Sequence, residues 1–290
     1  MKKKDESAGG AVCILYDNGS LRPAPTMHLR ALAQLLEHEL GLQVVATSLL
    51  HSDGLDANLL NGQPAVLLEP TIRGMLESGM REFIILPQFF GPSRAIMDFV
   101  PDILTDFKVI YPDAYFFPAN CLFDSADNSA MLLAEILHDR VMEVVDSHGA
   151  VPGKVVMVDH GTPVVEVNMV RGAVAKQLEE CLSESPFVVQ ECSMERREGR
   201  EFDFNEPLLE DLLQEPEFGD GVIVAPMFFS QGRHAGPGGD IDGICTASPS
   251  QPFASPPVPL IAPASPVPLP PPGPAPQQQE LQTLQAQQQV

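Results

Sequence analysis

Two histidines combine a suitable side chain with a suitable place in the chain. His160 directly follows the apolar run Val155–Val158, within Asp159-His160-Gly161-Thr162. His234 ends a stretch that begins Pro226-Met227-Phe228-Phe229-Ser230-Gln231-Gly232-Arg233. An imidazole gains or loses its charge near neutral pH, so its neutral form can take a proton or hold a divalent ion. A short apolar run closed by a polar, Gly-containing turn reads as a buried strand entering a loop. Ligands of open α/β sheets gather beyond the carboxyl ends of such strands. His160 and His234 are therefore expected to converge at one sheet edge as a candidate functional pair. Gly161 and Gly232 beside them let backbone come close to a flat ligand. His28, His38, His51, His138 and His148 lie on helices or near loops and read as surface or packing residues.

An internal repeat supplies the elements that position this pair. Cys13-Ile14-Leu15-Tyr16-Asp17-Asn18-Gly19-Ser20 parallels Val155-Val156-Met157-Val158-Asp159-His160-Gly161-Thr162. Glu69-Pro70 is matched with Glu206-Pro207, and Pro87-Gln88-Phe89-Phe90 with Pro226-Met227-Phe228-Phe229. Each half then reads as strand and helix in alternation. Strands are expected at Val12–Tyr16, Leu42–Leu50 and toward Phe83–Phe90, and at Val155–Val158, Phe187–Met194 and before Phe229. Helices are expected at Met27–Leu40, with Gly41 as its cap, and at Val167–Cys181, with a further helix opened by each Glu-Pro. The first half adds a helix at Asp98–Phe107 and a strand at Ala114–Leu122. Ser129–Val145 forms a linking helix. The alternation specifies an α/β fold with parallel sheets. The second half is expected to lack the last helix and strand, because after Asp240–Cys245 it runs into proline. The resulting division is a first half at 11–127, a linking helix and loop at 128–153, a second half at 154–245 and a tail at 246–290.

Asn18 stands where His160 stands, and Pro92-Ser93-Arg94 replaces Gly232-Arg233-His234. The first half thus keeps the architecture without the imidazoles, which implies one active site per chain. Lys and Arg number 17 against 39 Asp and Glu, for a net charge of -22. That field disfavours nucleic acid as a partner. The five cysteines form no CxxC pair and read as reduced thiols. No apolar run is long enough for a membrane span, and Met1–Gly10 has no secretory or transit character. The expectation is a soluble cytoplasmic protein, or a plastid one if a transit peptide is missing from this chain. The Pro-rich and then Gln-rich tail is expected to be disordered and is a candidate ligand for proline-reading modules.

The pattern Asp159-His160-Gly161-Thr162, then Pro226-Met227-Phe228-Phe229-x-x-Gly232-x-His234 with Asp240-Ile241 beyond, resembles the sirohydrochlorin chelatases. These are the cobalt and iron chelatases of cobalamin and sirohaem synthesis. The resemblance spans about Ala11 to Cys245. It implies two chelatase-like halves facing a cleft, with His160 and His234 where metal enters the macrocycle. It also implies a tetrapyrrole and a divalent metal, Co2+ or Fe2+, as substrates, with no permanently bound cofactor. The substrate's many carboxylates make Arg233 a candidate contact, joined by Gly161, Gly232, Phe229 and, from the first half, Asn18. Arg171, Arg22 and Arg94 read at least as well as surface residues. Glu206 reads as a helix-terminus residue, with metal delivery by it or by Asp240 the lesser reading. Two other functions compete. One is a non-catalytic tetrapyrrole- or metal-binding protein, motivated by the loss of the histidines from the first half and by the shortened second half. The other is a phosphatase of the histidine type, disfavoured because Asp159, not arginine, precedes His160.

Overall fold

A computed structural model describes residues 10–148, 153–218, 222–248 and 252–255. Most of the N-terminal segment and nearly all of the expected proline- and glutamine-rich tail lie outside these residues. Among the described residues no helix is long and apolar enough to cross a membrane.

The first half holds β1 (Val12–Asp17), α1 (Pro23–Leu40), β2 (Val44–Ser48), α2 (Leu68–Glu77), β3 (Glu82–Pro87), α3 (Val100–Ile110) and β4 (Tyr115–Pro118). Then comes α4 (Ser129–His148), and the second half follows with β5 (Lys154–Asp159), α5 (Val165–Cys181), β6 (Val188–Ser193), α6 (Leu209–Leu212), β7 (Val222–Pro226), α7 (Asp240–Ala247) and β8 (Phe253–Ala254). The sheets run β2-β1-β3-β4 and β6-β5-β7-β8, and all their pairings are parallel. Parallel neighbours need a crossover, and helices supply it here. α1 begins a turn earlier than the periodicity places it. Pro23 and Pro25 lie in its first turn, where a missing N–H breaks no helical hydrogen bond, and Gly41 caps its far end at φ 64°. A π-turn at Ala95–Phe99 leads into α3.

Residues alternate along the central strands between two cores. In the second half Val155 and Met157 join Val170, Val174 and Leu178 of α5 and Leu133, Leu137 and Val141 of α4. Val156 and Val158 join Leu209, Leu212, Ile241 and Cys245 on the opposite face. The helix expected only to link the halves thus packs as part of the second core. In the first half Cys13 and Leu15 meet Leu29 and Ala33 of α1. Ile14 and Tyr16 meet Ile72, Leu76, Leu104 and Phe107.

The structure corrects three expectations. The second half does not lack its last helix and strand: α7 buries Ile241 and Cys245, and β8 pairs with β7 through Ile223↔Phe253 and Val224↔Ala254. β8 is short, because Pro256 and Pro257 follow it closely and proline cannot donate to a ladder. Second, the middle repeat match is out of register. The residues that bridge the ends of β2 and β6 are Leu67 and Leu208, so Leu67 corresponds to Leu208 and Glu69-Pro70 does not correspond to Glu206-Pro207. Third, Glu206-Pro207 opens no helix. α6 begins at Leu209, and Glu206 closes a 3-10 segment at Arg200–Asn205. The outer matches hold in the ladders, since Cys13 pairs with Ile84 as Val155 pairs with Ile223.

The repeat is most exact at the turn after the first strand of each half. Gly19 and Gly161 have φ of 89° and 88°. Their N–H groups donate to Asp17 Oδ1 and Asp159 Oδ1 at 3.0 and 3.1 Å. A Cβ on either glycine would stand 1.8 Å from the carbonyl oxygen of Leu50 or Glu195. Backbone and side chain therefore both require glycine. The halves meet through equivalent residues: Phe90 and Phe229 stack with centroids 3.7 Å apart and planes 12° from parallel. Gly91 lies against Val167 and Val170 of α5, and Gly232 against Pro25 of α1.

Gly161→Ala and Gly19→Ala are each expected to destabilise the fold by about 2 kcal/mol or more, since strain and overlap coincide. Thermal unfolding checks this, and an unchanged midpoint in either variant would contradict the turn geometry.

Candidate functional site

β5 and β7 are neighbours, so the loops after them leave the sheet side by side. His160 is the first residue beyond β5, and His234 lies in the loop between β7 and α7. The imidazoles meet edge to face, with centroids 4.6 Å apart and planes at 85°. Phe228 lies beside both, at 6.4 Å from the His160 ring and 6.3 Å from the His234 ring.

Hydrogen bonding decides which nitrogens are available. His160 Nδ1 lies 3.1 Å from the Gly161 carbonyl oxygen, which can only accept, so Nδ1 carries the proton. His234 Nδ1 lies 2.6 Å from Asp240 Oδ2 and likewise donates. Both Nε2 atoms are left with lone pairs for a proton or a metal. Glu195 Oε1 stands 3.6 Å from His160 Nε2. Asp240 orients His234 and fixes its tautomer, as in carboxylate–histidine–metal arrangements. Among the described residues no group of three or more His, Cys, Asp or Glu side chains is spaced to hold a metal ion.

The His160 turn is held by a buried polar network. Asp159 is buried, and Ser193 Oγ donates to its Oδ1 at 2.6 Å. Arg171 Nη1 donates to Ser193 Oγ at 2.5 Å and to the Asn205 carbonyl at 2.9 Å, and Nη2 reaches the carbonyls of Phe204 and Glu206. Asn205, fully buried, grips Thr162 from both sides: its Oδ1 accepts from Thr162 N and its Nδ2 donates to Thr162 O, each at 2.9 Å. Arg171 is thus no surface residue. Only 3% of it is exposed; its Nη atoms reach three carbonyls and Ser193, and its Nε stands 3.6 Å from Glu191 Oε2. Glu206, read from sequence as a helix-terminus residue, instead pairs with Arg196 Nε at 2.5 Å.

The remaining candidates fall in different places. Arg233 is exposed, with Nε 3.6 Å from Asp240 Oδ2. Phe229 spends one ring face on Phe90, and Met227 is buried in the core. Asn18 is exposed at the equivalent turn of the first half, where its carbonyl accepts from Leu50 N as that of His160 accepts from Glu195 N. Arg94 pairs with Asp98. Two groups beside the rings escaped the sequence reading in these roles, Asp240 as the partner of His234 and Glu195 as the neighbour of His160. The available signal was position: Glu195 is the second residue beyond β6, at the same sheet edge. A cavity of about 420 Å³ lies on the α6–α7 side of Asp240, lined also by Glu210, Gln214 and Ile244.

Burial pushes the Asp159 carboxyl above its usual range, against the opposing pull of Ser193 and Arg171. A raised folded-state value means that its contribution to stability is full below the ordinary carboxylate range and is lost as pH rises through the folded-state value. Asp159→Asn cannot ionise and keeps an acceptor for Ser193 and Gly161. Its stability relative to the parent should therefore be higher at pH 7 than at pH 4. Urea unfolding at both values measures this, and a difference that is flat or reversed would contradict the assignment.

No protein-family model matches the sequence, and no curated protein matches it. Solved structures do match. SirB from Bacillus subtilis with Fe3+ superposes with a TM-score of 0.60 at 11% identity, over 86% of this chain and 88% of that one. The sirohydrochlorin chelatase SirB from Bacillus subtilis subspecies spizizenii, in complex with cobalt, gives a TM-score of 0.57 at 12% identity, over 87% of this chain and 88% of that one. Both α/β halves and their order are included in matches of this extent. The chain has the fold of the SirB sirohydrochlorin chelatase.

Proposed function

We propose that the protein is a chelatase that inserts a divalent metal, Co2+ or Fe2+, into sirohydrochlorin or a related tetrapyrrole. The observation that carries this reading is the pair of imidazoles 4.6 Å apart at the carboxyl edge of a parallel sheet, each with Nδ1 hydrogen-bonded and no hydrogen bond at Nε2. Inserting a divalent ion into a free-base macrocycle forms metal–nitrogen bonds and releases two pyrrole protons. The ion must also shed water. A neutral imidazole suits both tasks, as a base near neutral pH and as a ligand for borderline metals. Each proton taken by Nε2 makes an imidazolium with a carboxylate already beside it, Glu195 for His160 and Asp240 for His234. The metal enters as a substrate and leaves inside the product.

The SirB likeness supports the same reading, because those proteins were solved with iron and with cobalt. The alternative of a binding protein without activity drew on a missing helix beside His234. α7 is present and its Asp240 orients that histidine, which removes this ground; the other ground, the missing histidines of the first half, stands.

Anaerobic absorbance of the protein with sirohydrochlorin, before and after Co2+ or Fe2+, tests the proposal. Faster spectral conversion than in a protein-free control is expected. His160→Ala and His234→Ala should each abolish most of the acceleration while the thermal midpoint stays in place. Asp240→Asn should lower it about 10- to 100-fold, the usual cost of removing an orienting partner. Full activity in either histidine variant would remove that residue from the chemistry. A spectral shift on mixing with no acceleration by metal would leave binding without catalysis.

A further inference from the structure

The chain is strongly acidic, yet its ligand under the proposed reading is a polycarboxylate, so the cations that are not already used matter. All eleven arginines lie among the described residues. Arg73, Arg81, Arg94, Arg140 and Arg233 face acids. Arg30 and Arg171 donate to backbone carbonyls. Arg196 is consumed within its own loop: it donates to the carbonyls of Arg197 and Gly199 and pairs with Asp203 and Glu206. Among the described residues, the arginines whose side chains are engaged by neither an acid nor a carbonyl are Arg22, Arg197 and Arg200, and all three are exposed. All three follow the carboxyl end of a strand. Arg22 lies beyond β1. Arg197 and Arg200 lie on the loop after β6, which carries Glu195 next to His160.

The geometry points to Arg197 and Arg200 as a carboxylate-binding edge of the site, which takes the peripheral carboxylates of the tetrapyrrole while the histidines address its centre. This rests on the chelatase reading and deepens it by naming how a polyanionic substrate is held. Arg196 makes the edge possible. By bracing the loop from inside it presents its two neighbours from a fixed backbone, which lowers the cost of ordering them on binding. The segment from Glu195 to Glu206 holds five acids and three arginines, so its overall field does not attract an anion. Recognition must come from directional contacts, and a guanidinium forks onto a carboxylate where an ammonium cannot.

Binding without metal isolates this edge from catalysis. The probes are uroporphyrin, which carries a carboxylate on every side chain, and benzenehexacarboxylate, which has the anionic groups without the macrocycle. The variants are Arg197→Gln with Arg200→Gln, and Arg197→Lys with Arg200→Lys, each checked for an unchanged thermal midpoint. The glutamine pair should weaken uroporphyrin binding on the order of ten-fold. The lysine pair should recover only part of that loss, because charge returns without the fork. Benzenehexacarboxylate should bind the parent and lose affinity in the glutamine pair. If that dependence holds while the parent binds no tetrapyrrole, the carboxylate edge stands and the chelatase reading falls. Uroporphyrin affinity that is equal in the parent and the glutamine pair overturns the edge and leaves the chelatase reading intact.

Discussion

The rest of the site depends on a place where a side chain cannot be. The carbonyl oxygen of Glu195 occupies the point where a Cβ on Gly161 would stand, and Asp159 holds the Gly161 N–H from the other side. The end of β5 and the loop beyond β6 are thereby fastened together at backbone level. One consequence is that His160 leaves the sheet in a fixed direction. Another is that Glu195, which supplies the blocking carbonyl, brings its own carboxylate to the same imidazole. The first half repeats the device with Gly19 and Leu50, and with Asn18 in place of the histidine. The turn is therefore part of the scaffold of both halves, and the imidazole stands on one of them.

The two halves differ in what they bury behind that turn. In the second, Arg171 reaches through Ser193 toward Asp159, and Asn205 closes on Thr162. In the first, Arg30 holds the carbonyls of Leu60, Gln63 and Pro64 from a more exposed position, and Leu29 fills the core. A buried cation is costly unless acceptors and an opposite charge compensate it, and here Ser193, three carbonyls and Glu191 do so. Among the described residues, the buried cation lies in the half whose turn carries an imidazole. The polar network stiffens a loop that must hold a ring in one orientation, whereas the other half meets only the demands of packing.

Much of this was legible in the sequence because it is local. Apolar runs ending in Asp-x-Gly announced the central strands, the shared motifs announced two halves, and the strand ends announced His160 and His234. What escaped depends on distances across the chain. Asp240 reaches His234 through a Gly-rich loop that no periodicity constrains. Arg171 lies on a helix whose pattern does not reveal that one guanidinium is enclosed. β8 is two residues long and precedes a proline run, so it carries no alternation to read. The Glu-Pro match misled because the connection from Ser193 to Leu208 is shorter than that from Ser48 to Leu67, and similar letters fell into line out of register.

Phe90 and Phe229 are counterparts in the repeat, and each is the other's stacking partner. Such a contact marks an axis of approximate two-fold symmetry. In an assembly of two identical chains, any change at an axial residue would be made on both sides at once, and a poorly fitting ring would clash with its own image. Joined in one polypeptide, the two positions are free to change separately. The same independence extends outward from the axis, so that one turn can keep an asparagine while its image carries the histidine. Covalent continuity is thus what permits the asymmetry, and the stacked rings mark the line across which it is measured.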